Sequence, residues 1–557
     1  MAGAAEAHAA WISHAACSDC DDASQTAALG ANTAQAMCDY HFNTELPGSH
    51  VPADWRITMS TPCAQKIAAV LLGMAAPLAG ADTIPVEILD RNLQVTTWVG
   101  AGLDQPTGIA FIGSNDAFIL EKGTGLVKRV TNGVLQAEPV LDLAVNSASE
   151  RGLLAIALHP NFPALPFVYI RWTESATGLD TTVLGEVPLL GNRVDRFTWD
   201  GTRLRLDPNF STVRLRARQT DNLPVRDHED MVNPVERGNH NGGPIRFGPD
   251  GKLYLFTGDV GRRGQMQNLP FGPFRSPSFR DDTYGGPAPD SEHLSGVVQR
   301  LNDDGSTPRD NPFYGIGSII GGDTGRTLRT VFSYGHRNGF GMAFDPYSRF
   351  MWLTENGDDA FSELNRVVPG MNGGWIQAMG PLNRIAEFKA IEATMFGSSL
   401  QQVRYPPTRI ADSAEQARSR MFMLTGASYV DPQFSWRYET GPAGATFVRG
   451  DALGAEYLGT LWIGSARAFA QVGGTGGSLY RLRLAPDRLA VDTSLDARLA
   501  DKVADNANKF EPTESETLLI GRGFGITPAI EQGPDGNLYV VSLTDNVVYR
   551  ISRAAPP

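Results

Sequence analysis

The chain has 557 residues, a formal net charge of −13, 42% hydrophobic residues and 20% charged residues. That composition supplies a large globular core, and an acidic balance without a basic stripe excludes a nucleic-acid-binding surface. All four cysteines, Cys17, Cys20, Cys38 and Cys63, precede residue 64, so the body has no thiols, which suits an oxidising compartment.

Taken in chain order, the first feature is the pair Cys17 and Cys20, followed by Cys38 and His41. The spacing resembles half of a zinc site, but a second full ligand pair is missing. Met59 to Ala81 then reads as a secretory signal. Lys66 supplies the positive charge, Ile67–Ala76 the apolar stretch, and Ala79-Gly80-Ala81 an A-x-A cleavage site. The apolar stretch is short for a membrane span. The expected organisation is therefore an extension over 1–58, with Met59 as the true start, a signal peptide over 59–81, and one catalytic domain over 82–557. The expected location is periplasmic or secreted.

From residue 112 onward one unit recurs: a turn of Gly, Pro, Asp or Asn, an alternating apolar strand, and often a second strand. It occurs at Ile112–Leu120 with Leu126–Val130, at Phe167–Ile170 with Arg193–Trp199, and at Gly248–Phe256. It returns at Phe344–Leu353, at Gly459–Ile463 with Ser478–Leu484, and at Gly533–Val541 with Asn546–Ile551. Asp-Gly between apolar strands is a strong hairpin signal, and repeats on this scale point to a propeller or solenoid. The pattern predicts an all-β, six-bladed β-propeller with long inter-blade insertions at 201–236, 262–298 and 376–440. The insertions are expected as surface loops around the mouth. Helical periodicity is confined to Ile385–Met395 and Ser413–Met421.

The run Gly238-Asn239-His240-Asn241-Gly242-Gly243-Pro244 stands directly before the third unit. A histidine between amides and glycines is ill suited to a packed core, and its imidazole can exchange a proton near neutral pH. The glycines permit a close ligand approach. On the residues alone, a histidine that caps a turn is an equal alternative.

Four segments together resemble the glucose/sorbosone dehydrogenase family of soluble quinoproteins. They are Glu150–Pro160, Asn239–Asp259, Tyr334–Pro346, and Thr354–Gly357 continuing through Glu363-Leu364-Asn365 to Asn372–Trp375. The resemblance implies a six-bladed propeller that uses pyrroloquinoline quinone (PQQ) and calcium to oxidise an aldose or a related alcohol or aldehyde. It makes His240 the general base, with Arg337 and Glu150 beside it. It gives Asn239, Arg337, Asn338 and Arg467 to the cofactor. The carbonyls of Gly357 and Asp358 would face a quinone-bound calcium, and Glu363 and the Gly373 carbonyl a second, structural one. A planar, permanently charged arginine suits a carboxylated quinone, and a hard cation suits carbonyl oxygens.

Three positions depart from the family pattern. Ile526-Thr527-Pro528 stands where two quinone-binding arginines are usual, Asp358 replaces a proline, and Ser362 replaces an aspartate. These departures keep two alternatives open: a quinone-free propeller that recognises glycans or a partner, and a calcium-dependent hydrolase of the lactonase kind. The sequence leaves the electron acceptor and the oligomeric state open, and no membrane span is expected.

Overall fold

The computed structural model describes residues 85–217, 238–260, 295–394, 410–466 and 477–555. All of these lie in the second of two units by contact, Met1–Ala79 and Gly80–Pro557. The cysteines, the expected signal segment and Arg467 lie outside the described residues.

The described strands fall into six sheets of four to six strands each. Their innermost strands are Pro106–Gly113, Leu153–Leu158, Ile245–Phe247, Gly339–Phe344, Pro442–Phe447 and Ala529–Gln532. Each of these packs beside the next in chain order, and the last returns to the first, which closes a ring. The fold is an all-β propeller. Closure is completed by the strand Leu93–Val99, which pairs antiparallel with Val547–Arg553, so both ends of the body share one sheet. A ring closed in this way leaves only short edges to protect.

The recurring turns do the same work in different sheets. Asp250 Oδ1 accepts from the Lys252 amide and its Oδ2 from the Tyr254 hydroxyl, at 3.1 and 3.0 Å. Asp535 repeats the pattern with Asn537 and Tyr539 at 3.1 and 3.0 Å. Gly251 and Gly536 follow at φ 72° and 78°, the left-handed region that glycine enters without steric cost. The aspartate thus satisfies the turn and clips the first aromatic of the following strand. Those tyrosines then pack edge-on against aromatics of a neighbouring strand, as Tyr254 does with Phe344 at 5.1 Å.

The two expected helices are present as Ile385–Thr394 and Ala414–Arg420. Ser413 caps the second, its side chain accepting from the Gln416 amide at 3.2 Å, as N-cap serines do. The insertion carrying them differs from the expected surface loop. Phe388, Ile391 and Ile410 are buried and join Phe361, Trp375 and Leu382 in one apolar cluster. The insertion therefore has a core of its own, packed against the strand Ala360–Val367. Two short helices, Tyr314–Ile320 and Gly322–Leu328, follow no periodic signal; glycine and threonine dilute their pattern.

Candidate active site

The loop carrying His240 is fastened from several sides. Arg171, fully buried, donates to the Asn241 carbonyl at 2.6 Å and also to that of Phe256. Asn241 in turn donates to the Gly238 carbonyl at 2.7 Å and accepts from Asn192 at 2.8 Å. His240 itself adopts φ 54°, an uncommon region for a residue with a side chain. That conformation is held by its amide, which donates to Glu150 Oε2 at 2.7 Å, and its carbonyl, which accepts from the Val260 amide at 3.1 Å.

The imidazole Nδ1 meets Asp259 Oδ1 at 2.6 Å, and Asp259 Oδ2 accepts from the Trp375 indole at 2.8 Å. Burial alone would raise the Asp259 carboxyl. The charges of His240 and Arg337 and the hydrogen bonds from His240 and Trp375 outweigh it and hold the group below its usual range. An ionised Asp259 fixes the proton on Nδ1 and leaves Nε2 as the basic nitrogen. That is the arrangement a histidine general base requires.

His240 lines a cavity of about 950 Å³, together with Glu150, Arg337, Asn338, Gly357 and Asp358. Six of the sequence-predicted residues therefore converge. Glu150 serves the loop geometry: the same Oε2 that holds the His240 amide accepts from Asn338 Nδ2 at 3.1 Å. Asn239 is buried beside His240 but is not part of the cavity wall, and neither are Glu363 and Gly373. His336, adjacent to Arg337, is fully buried, with its ring nitrogens bonded to Glu355 and Ser333, both at 2.9 Å; its role is structural.

Several wall residues were not singled out in the sequence. Lys122 donates to the Ser147 carbonyl at 2.8 Å. Burial pushes its ammonium down to about 8, against the pull of Glu150. Lys509, from the loop before the last sheet, reaches the Asp358 carbonyl and Asp359 Oδ1, both at 2.8 Å. Glu439 accepts from Ser362 at 2.7 Å, and burial raises it to about 7. Ile526 and Pro528 also line the cavity, so the wall where the family usually carries two arginines is apolar.

The cavity fits a planar, anionic quinone. Its volume lies in the usual range for ligand sites, and Lys122, Arg337 and Lys509 face it. A Cβ on Gly243 would meet only Phe340, at 3.8 Å, so the wall there is flat and open. Among the described residues, buried oxygens of Asn338, Asn356 and Asp358 have no hydrogen-bond partner, as expected of polar groups that await a ligand. Calcium fits poorly. Arg337 Nη1 already donates to the carbonyls of Asn356 and Gly357, at 2.8 and 2.5 Å. Glu363 accepts from the Gly380 amide at 2.6 Å and from Asn365 at 2.8 Å. Its carboxyl is raised well above the ordinary value by burial and then by Glu355. Among the described residues no cluster of three acidic, histidine or cysteine side chains could hold a metal, and no helix is long and apolar enough to cross a membrane.

Comparison with known proteins bears on the family and the fold. The sequence profile of the Glucose / Sorbosone dehydrogenase family matches residues 103–380. The chain is 25% identical to the aldose sugar dehydrogenase YliI of Escherichia coli, over 85% of this chain and 93% of that one. It is 27% identical to quinoprotein glucose dehydrogenase B of Acinetobacter calcoaceticus, over about half of each chain (50% and 52%). Among solved structures it superposes on an oxidoreductase described as a glucose dehydrogenase from Thermus thermophilus, with a TM-score of 0.50 and 24% identity. That match covers 82% of this chain and 99% of that one. The soluble aldose sugar dehydrogenase of Escherichia coli superposes with a TM-score of 0.51 at 19% identity, covering 83% of this chain and all of that one.

Proposed function

The chain belongs to the glucose/sorbosone dehydrogenase family, and from that premise we propose that it is a quinoprotein sugar dehydrogenase. Its substrate is an aldose or a related hydroxyl compound, oxidised at a carbon bearing a hydroxyl. We read each of the six sheets as one blade, residues 82–557 as the catalytic domain, and the protein as acting in the periplasm or outside the cell. PQQ, when bound, supplies the two-electron acceptor that the side chains lack.

The observation that carries the reading is the His240–Asp259–Trp375 chain at the wall of a cavity lined by four cationic residues, Lys122, Arg246, Arg337 and Lys509. His240 Nε2 takes the proton of the reacting hydroxyl, and Asp259 stabilises the imidazolium that results. Glu150 holds the His240 backbone, and through Asn338 ties it to the loop bearing Arg337. Arg337 and Asn338 orient the anionic cofactor. The guanidinium is itself aligned by Asp358 at 3.2 Å and lies 5.5 Å from the Trp375 ring. Arg467 remains a candidate cofactor contact from the family pattern. Spectral titration of the protein with PQQ, followed by dye reduction over a panel of aldoses, tests the proposal. Saturable binding with turnover of at least one sugar is expected.

A second reading, a propeller that binds glycans without a quinone, is favoured by one feature, the apolar Ile526 and Pro528 in the cavity wall. Sugar binding without quinone binding would select it.

A further inference from the structure

The turn Asn356–Asp359 is where the family pattern would seat a divalent cation against backbone carbonyls. In this chain three successive carbonyls of that turn already have cationic donors. Arg337 Nη1 serves Asn356 and Gly357, at 2.8 and 2.5 Å, and Lys509 Nζ serves Asp358 at 2.8 Å. We infer that Lys509 takes the metal's place, so that the cavity binds its anionic ligand with an ammonium and without a divalent cation. The inference rests on reading the cavity as a quinone site.

The coordination chemistry supports the substitution. Calcium takes about six to eight oxygens, many of them charged. Here most of the nearby carboxylate oxygens are committed elsewhere. Asp358 Oδ1 pairs with Arg337 at 3.2 Å, Asp359 Oδ1 with Lys509 at 2.8 Å, and Glu439 accepts from Ser362 and from the Gly441 amide. Among the described residues, the turn and the neighbouring Glu392 keep three buried oxygens without donors, Asn356 Oδ1, Asp358 Oδ2 and Glu392 Oε2, short of a calcium shell. A dication seated on these carbonyls would also face Arg337 and Lys509 at close range, two like charges it would have to displace.

Lys509 is suited to the role. An ammonium has three donors, and the turn uses two of them, which leaves one for a ligand in the cavity that Lys509 lines. The ammonium is a point charge, as the metal is, and it sits on the same oxygen. Asp358, absent from the usual family turn, aligns Arg337 with the two preceding carbonyls. A proline there could not form that pair.

The test uses the purified full chain in two media, one with excess chelator and one with millimolar calcium. Thermal melting of the quinone-free protein should coincide in the two media. A clear rise in calcium overturns the inference whether or not a quinone binds. Titration with PQQ should give dissociation constants that agree within about twofold between the media. Lys509→Met should bind PQQ at least about tenfold more weakly in chelator, since it loses a charge-assisted contact. It should also recover part of that affinity and gain melting temperature in calcium, because the Asp358 carbonyl and Asp359 Oδ1 lose the ammonium they share. Wild-type quinone binding that requires calcium overturns this inference and leaves the functional reading intact. Binding in neither medium, with the fold intact, overturns the functional reading and the inference with it. The wild-type measurements decide the matter even if the variant does not fold.

Discussion

Asp259→Asn is the substitution that examines the proposed base most directly. Asp259 meets His240 Nδ1 at 2.6 Å through one oxygen and accepts from Trp375 Nε1 at 2.8 Å through the other. An indole can only donate, so an amide at this position must turn its oxygen toward Trp375. Its NH₂ group then faces His240 Nδ1, which is driven to accept, and the imidazole proton moves to Nε2. The base is lost although every ring stays in place. Losing the anionic partner alone removes a charge-assisted hydrogen bond worth about 1.5–3 kcal/mol. That is about 10- to 150-fold in rate. Inverting the tautomer of a histidine–aspartate pair costs about 10⁴-fold in the serine protease case. Turnover in a dye-reduction assay with saturating quinone should therefore fall by about 10²- to 10⁴-fold, with quinone affinity little changed. Adding Trp375→Phe removes the donor that dictates the amide's orientation, so the double variant should recover part of the rate. Turnover of Asp259→Asn within about threefold of wild type, a margin well below one lost charge-assisted bond, would refute the role given to this pair.

Three further outcomes follow from the same geometry. His240→Ala should lower turnover by about 10²- to 10⁴-fold and leave quinone binding largely intact, whereas Arg337→Ala should weaken quinone binding as well as rate; titration and steady-state kinetics separate the two. Gly341→Ala would put a Cβ 2.0 Å from the Ala443 carbonyl oxygen, between the innermost strands of adjacent sheets, so the backbone must shift and stability should fall by about 1–3 kcal/mol in chemical denaturation. Burial holds the carboxyls of Glu392 and Glu439 protonated up to about 8 and 7 and also raises that of Glu363 well above its ordinary value; between the ordinary carboxyl range and about 7 to 8 the folded state binds more protons than the unfolded one, so stability should decline as pH rises from about 5 to about 8, and Glu392→Gln should flatten that decline because its carbonyl can still accept from the Asp359 and Ala360 amides.

The repeated turns made the fold legible because each carries its own local physics. Gly248-Pro249-Asp250-Gly251 and Gly533-Pro534-Asp535-Gly536 form the same aspartate-clipped hairpin in two sheets, and nothing distant is needed to read either. Each of the six recurring units lies in a different sheet. The insertion over 376–440 was harder to read. Its polar stretches suggest a loop, yet Phe388 and Ile391 on one short helix supply enough apolar surface to dock on the sheet beside Phe361. The helical periodicity at Ile385–Met395 was visible in the sequence, but composition averaged over 65 residues conceals that one face of that helix is buried.

The site divides along the same line. Residues on the family's linear motifs, His240, Arg337, Asn338 and Gly357, could be named from the sequence and meet at one cavity. The residues that set their chemistry become partners only through the fold, even where they lie on the same segments. Asp259 follows the strand Leu253–Thr257, 19 residues after His240, and Trp375 donates to it from 116 residues further on. Lys509 arrives from 151 residues beyond the Asp358 carbonyl it occupies. Its loop has no motif, so only the folded arrangement shows an ammonium where the linear pattern points to a metal. The departure at Asp358 was visible in the sequence, but as the weakening of a calcium loop. In the folded chain the same carboxylate pairs with Arg337, and Arg337 caps the Asn356 carbonyl and the Gly357 carbonyl, the second of which the family pattern gives to the metal. A substitution that reads as damage to one site is therefore consistent with completion of another, and the calcium response of Lys509→Met distinguishes the two.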